Sequence, residues 1–469
     1  MKASRVIFAL LLFVGFAFAQ KQVAMPKDLP PFGPEKPLQA PAVKVSKLAN
    51  GMTIWLVAEP GFPKVAYTLA VRGGLAADPT DRPGISELLS KTIDQGTKTR
   101  SAKQIAEEFQ SAGGDISVDS AKDSVQISAT VLSSKAENAL TILADIVQNA
   151  TFPDAEVTLA KRNLSDSLRQ RESEPSFLAA RAMAKVLFGD HPYHVIAPTQ
   201  ESIAASTSID LRNVYAQRFR PDQAILIAVG DFDNNRMLDL AQARMGAWKN
   251  PDGPALRPVE RLTTAADHAV FFVARPDSVQ TTLELATFGP LRSDPDYEAV
   301  EVANAIYGGT FSSRLVANIR EDKGYTYSPF ASLNTYRGAS ALVTRADVRN
   351  DVTGPSLNEM NYELNRMATT SPSDEELAKA KRFLVGTEAI QLQARAGVTY
   401  ELAKLWVDGL PPEEIGVYGQ KVSSMTRADV DAAAKKYFPA AGATVVAVGE
   451  EKVVRDSLSL FGMPIRPIP

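Results

Sequence analysis

The chain contains no cysteine in 469 residues. That excludes disulfides and cysteine catalysis, and it removes the lipidated cysteine that tethers many exported bacterial proteins. Histidine is nearly as scarce, with three in all: His191, His194 and His268. No Ser-His-Asp or Cys-His arrangement is evident, which argues against unconventional hydrolytic chemistry. Neither sign of charge dominates. The 51 basic and 54 acidic residues leave a formal net charge of −3, so there is no electrostatic case for nucleic acid. After the first 19 residues no long apolar run remains to span a membrane.

What is present begins with a secretory pattern. Lys2 and Arg5 precede an apolar run, Val6 to Phe18, and Ala17-Phe18-Ala19 has the small-x-small form of a cleavage site. Residues 1–19 are therefore expected to be a signal peptide, with no stable membrane span after cleavage. The mature chain is expected to be exported and soluble, in a bacterial periplasm. A chain this long builds a sufficient core without disulfides. Residues 20–42 form an extended lead-in, rich in Pro and Lys around Pro26 to Pro41.

Hydrophobic periodicity then gives alternating strands and helices. Val45 to Ala58 reads as strand, Asn50-Gly51 turn, strand. Val65 to Val71 is a strand, and Gly84 to Ile93 has apolar residues on one helical face. Ser101 and Gln104 form a capping box for the next helix, which stops at Gly113-Gly114. Two alternating strands follow, through Val118 and through Val125 to Val131. Helices are expected at Ala136 to Val147, 154–172 and 176–187. Ile225 to Val229 is a strand closed by Gly230.

The second half repeats this order. Gly74 and Asp78-Pro79 recur as Gly289 and Asp294-Pro295, Phe219-Arg220-Pro221 as Tyr437-Phe438-Pro439, and Gly230 as Gly449, at offsets of 215–219 residues. The expectation is a duplicated α+β chain, each domain a mostly antiparallel sheet with helices packed on one face. Its domains would be 43–249 and 263–459, joined by a breaker-rich linker at 250–262.

Several motifs share one order and spacing with a known family. They include Arg72-Gly73-Gly74, Pro83-Gly84, Gln95-Gly96-Thr97, Gly189-Asp190-His191-Pro192-Tyr193 and Tyr215-x-x-x-Phe219-x-Pro221. The second half adds Gly308-Gly309, Ser312-Ser313-Arg314-Leu315 and Arg320-Glu321-x-Lys323-Gly324-Tyr325-x-Tyr327. From about residue 43 to 456 the chain resembles the pitrilysin or insulinase (M16) superfamily of zinc peptidases, in its short-subunit, processing-peptidase-like branch.

The resemblance implies a helix bearing His-x-x-Glu-His, with two zinc ligands one turn apart and a glutamate that activates water. Here Glu87-Leu88-Leu89-Ser90-Lys91 occupies that place. Glu87 and Lys91 fall at the histidines, Ser90 at the catalytic glutamate, and Ser167 or Asp166 at the downstream glutamate ligand. An ammonium, a hydroxyl and one or two carboxylates do not make a zinc site. Glu87 and Lys91 are i and i+4 in the favourable order for an ion pair, and Lys91 could also bridge to Asp166 as an ionic replacement for zinc. The histidines at 191 and 194 sit in a loop-like segment and are expected to be structural.

Arg320 and Tyr327, seven residues apart, are the part retained. In the family such a pair faces the zinc site from the second domain and holds substrate or its developing oxyanion. A helix over Ser312 to Asp322, stopped by Gly324 and followed by a strand through Tyr325 to Tyr327, would bring guanidinium and phenol onto one acceptor. Some family members are heterodimers in which a subunit without the zinc motif supplies this pair in trans. The resemblance thus implies a noncatalytic subunit that binds no cofactor itself. It would pair with a homologous zinc-bearing peptidase subunit and act on a peptide or unfolded polypeptide. The alternative is a homodimeric, noncatalytic peptide-binding or scaffold protein.

Overall fold

The computed structural model describes residues 40–262 and 267–468. The expected signal peptide lies outside them, as does nearly all of the lead-in. The first sheet contains β1 (Lys44–Lys47), β2 (Thr53–Ala58), β3 (Lys64–Arg72), β4 (Asp115–Ser120), β5 (Ser124–Leu132) and β6 (Ala224–Gly230), in the order β1-β2-β6-β3-β5-β4. The second contains β7 (Val270–Ala274), β8 (Gln280–Phe288), β9 (Phe330–Thr335), β10 (Ser340–Arg349), β11 (Thr444–Gly449) and β12 (Ile465–Pro467), in the order β12-β7-β11-β8-β10-β9. Strands β2 to β6 thus match β7 to β11 one for one. In both sheets the pairing is antiparallel except at β2–β6 and its counterpart β7–β11, and at the β12 edge. The edge slot is filled differently: by the antiparallel β1 in one half and by the parallel β12 in the other.

Local chemistry explains the principal elements. The Asn50-Gly51 hairpin joins β1 to β2, and the Asn50 amide donates to the carbonyls of Met245 and Trp248. Val125, Ile127, Ala129 and Val131 alternate along β5 into the first core. There they meet the helices α1 (Ile85–Ser90), α2 (Ala102–Ser111) and α3 (Ala136–Asn149). The Ser101–Gln104 capping box starts α2. Two long helices follow, α4 (Asp154–Ser173) and α5 (Pro175–Phe188), with Pro175 in the first turn of α5.

The sheet strands also explain a feature of the packing between halves. Along β6 every residue is buried: Ala224, Leu226 and Ala228 on the side of α1 to α3, and Ile225, Ile227 and Val229 on the other. An unbroken apolar strand needs cover on both faces. That cover comes from the other half, where the Arg395–Asp408 helix packs Val398, Leu402, Leu405 and Trp406 against Ile225, Ile227 and Val229. Reciprocally, α5 of the first half packs Ala182, Met183 and Leu187 against Phe271, Val446 and Val448 of the second sheet. Each half's remaining helices lie on one sheet face, and the opposite face receives a helix from its twin. Burying four large side chains contributes about 6–12 kcal/mol, comparable with the whole net stability of a typical domain. Both sheets therefore belong to one compact unit, Leu38–Pro469. Among the described residues no helix is long and apolar enough to cross a membrane.

Two expected elements differ. Helix α1 ends at Ser90 and does not continue to Ile93. The Ser90 hydroxyl donates to the Glu87 carbonyl, and the Thr92 hydroxyl to that of Leu88, so side chains take over the last carbonyls. The strand expected through Tyr325 to Tyr327 is an irregular loop, and β9 starts only at Phe330, after Pro329. Proline has no N–H for a ladder and restricts the residue before it.

Candidate functional site

Helix α1 is set by its first turn. Gly84 adopts φ 79°, and a Cβ there would lie 2.3 Å from Pro198 Cα. The buried Arg218 guanidinium joins Asp78 (3.0 Å) to the Ser86 hydroxyl (2.7 Å) at the start of the helix. Ile85, Leu88 and Leu89 point into the core. That leaves Glu87 and Lys91 on the outer face, opposite α4.

Glu87, Lys91 and Ser167 line one open pocket of about 400 Å³ between α1 and α4, together with Gln95, Glu156 and Asn163. The other two expected positions do not join them. Ser90 is buried, with its hydroxyl committed to the helix backbone. Asp166 is exposed and pairs with Arg169 one turn away (2.6 Å).

The expected Glu87–Lys91–Asp166 ionic cluster is overturned. Glu87 pairs instead with Arg171 of α4, Oε1 to Nη2 at 3.0 Å. Lys91 is exposed and makes no ion pair among the described residues. It caps the C-terminus of α1, and the guanidinium from the facing helix takes the carboxylate. Burial pushes the Glu87 carboxyl up, while Arg171 and, more weakly, Lys91 pull it back. Sequence reading missed Arg171, although a signal was available. It lies four residues beyond Ser167, on the same face of the helix.

These donors do not fit a zinc ion. Glu87 already accepts a guanidinium, Ser90 is turned away and Ser167 offers a neutral hydroxyl. Glu156, the other carboxylate lining the pocket, has no further His, Asp or Glu among the described residues placed with it to complete a site. Among the described residues no group of three or more His, Asp or Glu is placed to hold a metal. All three histidines are satisfied by backbone carbonyls: His191 by Glu260, His194 by His191, and His268 by Ala443.

The second cluster is built on Arg314 to Asp322, whose later turns are widened. The Lys323 amide donates to the carbonyl of Asn318, five residues back, and Tyr325 to Ile319. Such π-type turns are frequent at functional sites. Leu315 and Ile319 anchor the segment in the second core, and Gly324 turns the chain at φ 62°. Arg320 then lies between two rings. Its guanidinium carbon is 4.4 Å from the Phe311 centroid and 5.7 Å from that of Tyr327. Its Nε faces Glu321 at 3.2 Å.

Tyr327 is 87% exposed, which rules out a packing role, and its hydroxyl has no partner among the described residues. Arg320 and Tyr327 are thus neighbours, stacked rather than directed at a common acceptor. Phe311, 70% exposed, completes the stack and was not anticipated; no periodicity marks it in the sequence. Nearby Arg314 shows the contrasting structural arrangement. It is buried in a fork on Glu376 (2.7 and 3.0 Å), which holds that carboxyl down to about 2. The Arg320–Tyr327 pocket, about 420 Å³, shares no lining residue with the Glu87 pocket.

Comparison with known proteins agrees with this architecture. Residues 53–196 match the family model for insulinase (peptidase family M16), and residues 207–384 match that for the peptidase M16 inactive domain. An uncharacterized zinc protease of Rickettsia felis is 26% identical over 376 residues, 79% of this chain and 90% of its own. One from Rickettsia bellii is 26% identical over 408 residues, 86% of this chain and 96% of its own. A crystal structure of a peptidase M16 inactive domain from Pseudomonas fluorescens superposes with a TM-score of 0.82 at 24% identity, covering 91% of this chain and all of that one. A Helicobacter pylori protease structure gives the same TM-score at 18% identity, over 87% of this chain.

Proposed function

The chain belongs to the M16 insulinase superfamily of peptidases, and we propose that within it the protein is a noncatalytic, exported subunit of a two-chain peptidase. A homologous subunit supplies the zinc and the water-activating glutamate. This chain supplies part of the peptide-binding chamber and presents Arg320 and Tyr327 to the partner's site. The observation that carries the reading is the contrast between the two clusters. At the zinc position the Arg171 guanidinium neutralises Glu87, the carboxylate that stands where the first ligand would be. At the Arg-Tyr position a half-buried cation paired to its neighbour Glu321 lies beside an exposed phenol whose hydroxyl has no partner among the described residues. A guanidinium and a phenol suit a peptide carbonyl or its tetrahedral oxyanion.

The test uses the full chain, a zinc-bearing homologue from the same organism and their equimolar mixture, measuring bound zinc and cleavage of a quenched peptide library. The chain alone is expected to hold no zinc and cut nothing. The mixture is expected to exceed the homologue alone. R320A or Y327F in this chain is expected to lower the mixture's kcat on the order of 10²-fold. Zinc-dependent hydrolysis by the pure chain overturns the noncatalytic assignment. A mixture indifferent to both substitutions overturns the contribution in trans. Peptide binding by a homodimer, with no gain on mixing, selects a self-sufficient binder instead.

A further inference from the structure

Arg72-Gly73-Gly74 stands out in the sequence, yet it takes no part in either cluster above. It ends β3 beside a small cavity of about 30 Å³, where the first half, the linker and the second half meet. Four cations line this cavity: Arg72, Lys122 from the β4–β5 turn, Arg257 from the linker and Arg337 from the β9–β10 turn. Asp123 is the only carboxylate among the lining residues. Its oxygens are occupied by uncharged donors, the Tyr193 hydroxyl (2.8 Å) and the Arg337 backbone amide (3.1 Å). None of the four cations forms an ion pair among the described residues.

Two of the cations are also held in place without an anion. Arg72 stacks on Trp406 at 4.3 Å and donates through Nη2 to the Trp406 carbonyl (2.9 Å), while its buried Nε–H has no acceptor. Lys122 is tied to the carbonyls of Tyr193 and Val195. Burial, with Arg337 nearby, pushes the Arg72 guanidinium down to about 10, and burial pushes the Lys122 ammonium down to about 8. Asp408, the other carboxyl near Arg337, does not line the cavity and is itself pushed up to about 6 by burial. Four cations thus share one carboxylate, Asp123, and leave one buried N–H unused, a net excess of positive charge around the cavity.

We infer that this seam cavity binds one small tetrahedral oxyanion, of the phosphate or sulfate class, which joins linker, β3 end and β9–β10 turn. Its size suits a group of a few atoms, somewhat larger than a water. Guanidinium forks and a lysine match such oxygens geometrically. The bound anion would satisfy Arg72 Nε–H and couple the two halves at a cavity that shares no lining residue with the pockets of either peptidase-related cluster.

The experiment is thermal unfolding of the full chain in inorganic phosphate, sulfate, acetate or chloride at constant ionic strength and pH, with affinity measured by calorimetric titration of phosphate. Phosphate and sulfate are expected to raise Tm with the logarithm of their concentration, by about 3 °C at a hundredfold excess over Kd. Chloride and acetate are expected not to. R257Q and R337M are expected to weaken phosphate binding about tenfold each, and R72M to abolish it. Because R72M also removes the bond to Trp406, the Arg257 and Arg337 variants decide the matter if R72M does not fold. Equal behaviour in phosphate and chloride overturns the site. Phosphate responses in R257Q and R337M that match the wild type do so too, and a response to acetate alone overturns the tetrahedral class.

Discussion

Arg218→Met tests whether the start of α1 is held electrostatically. Arg218 and Asp78 are 3% and 1% exposed, with Nη1 and Oδ1 3.0 Å apart. The substitution keeps most of the stem but leaves a buried carboxylate with Ser86 as its remaining hydrogen-bond donor. Breaking such a pair from one side costs about 3–5 kcal/mol. A unit of about 430 residues unfolds with an entropy on the order of 0.9 kcal/mol/K, so Tm is expected to fall by about 3–6 °C. The deficit depends on pH in a definite direction. Burial raises the folded-state pKa of Asp78 above its unfolded value, and the variant lacks the guanidinium that opposes this. The penalty therefore grows as pH rises past the folded-state pKa of wild-type Asp78, itself above the ordinary carboxylate value of roughly 4, and shrinks in acid. Differential scanning fluorimetry from pH 4 to 8 measures both effects. Adding D78N should recover at least half of the loss at pH 7. A Tm within 1 °C of wild type, or a double variant worse than R218M, would refute the reasoning.

Three further outcomes follow from the structure. Glu284 in β8 is 4% exposed, and burial pushes its carboxyl up to about 7, so its ionisation opposes folding as pH rises through 7. E284Q should match the wild type at pH 5 and exceed it at pH 8 by about 1–3 kcal/mol in denaturant titration; equal stability at both pH values would count against this. F311A should leave Tm within a degree but lower cleavage by the two-chain mixture about two- to fivefold through loss of the stack on Arg320, with rescue by F311W; an unaffected rate would show the ring to be idle. Rebuilding the metal ligands as E87H/S90E/K91H/S167E should yield stoichiometric zinc, read by metal analysis, only when R171L is added. Full occupancy with Arg171 in place would show that its charge is no barrier.

The duplicated α+β fold was legible because turns and apolar patterns recur at a fixed offset, and local rules govern such features. Ser101 and Gln104 formed the capping box their spacing implied, and Gly324 took the left-handed turn expected of it. The apolar run of β6 showed a strand, but not what covers its faces. Its cover is a helix beginning at Arg395, and no local pattern reports a contact over that separation. Glu87 failed for a related reason. The i,i+4 rule proposed Lys91, while the actual partner, Arg171, is 84 residues away and reaches the carboxylate from a facing helix. At Tyr327 the expected conformation was wrong, since Pro329 delays the strand and leaves the phenol on a loop.

The reciprocal loan of α5 and the Arg395–Asp408 helix also bears on how the protein is made. Thr68 in β3 donates to Thr399 at 3.0 Å, across 331 positions of chain. While the polypeptide emerges from its N-terminus, the outer face of β6 stays bare until nearly the whole chain is available, and α5 waits equally for its sheet. Contacts of such long range close slowly and leave apolar surface open to aggregation meanwhile. The two sheets must therefore mature together, late and as one event, in a chain whose repeats would otherwise suggest two independent folding units.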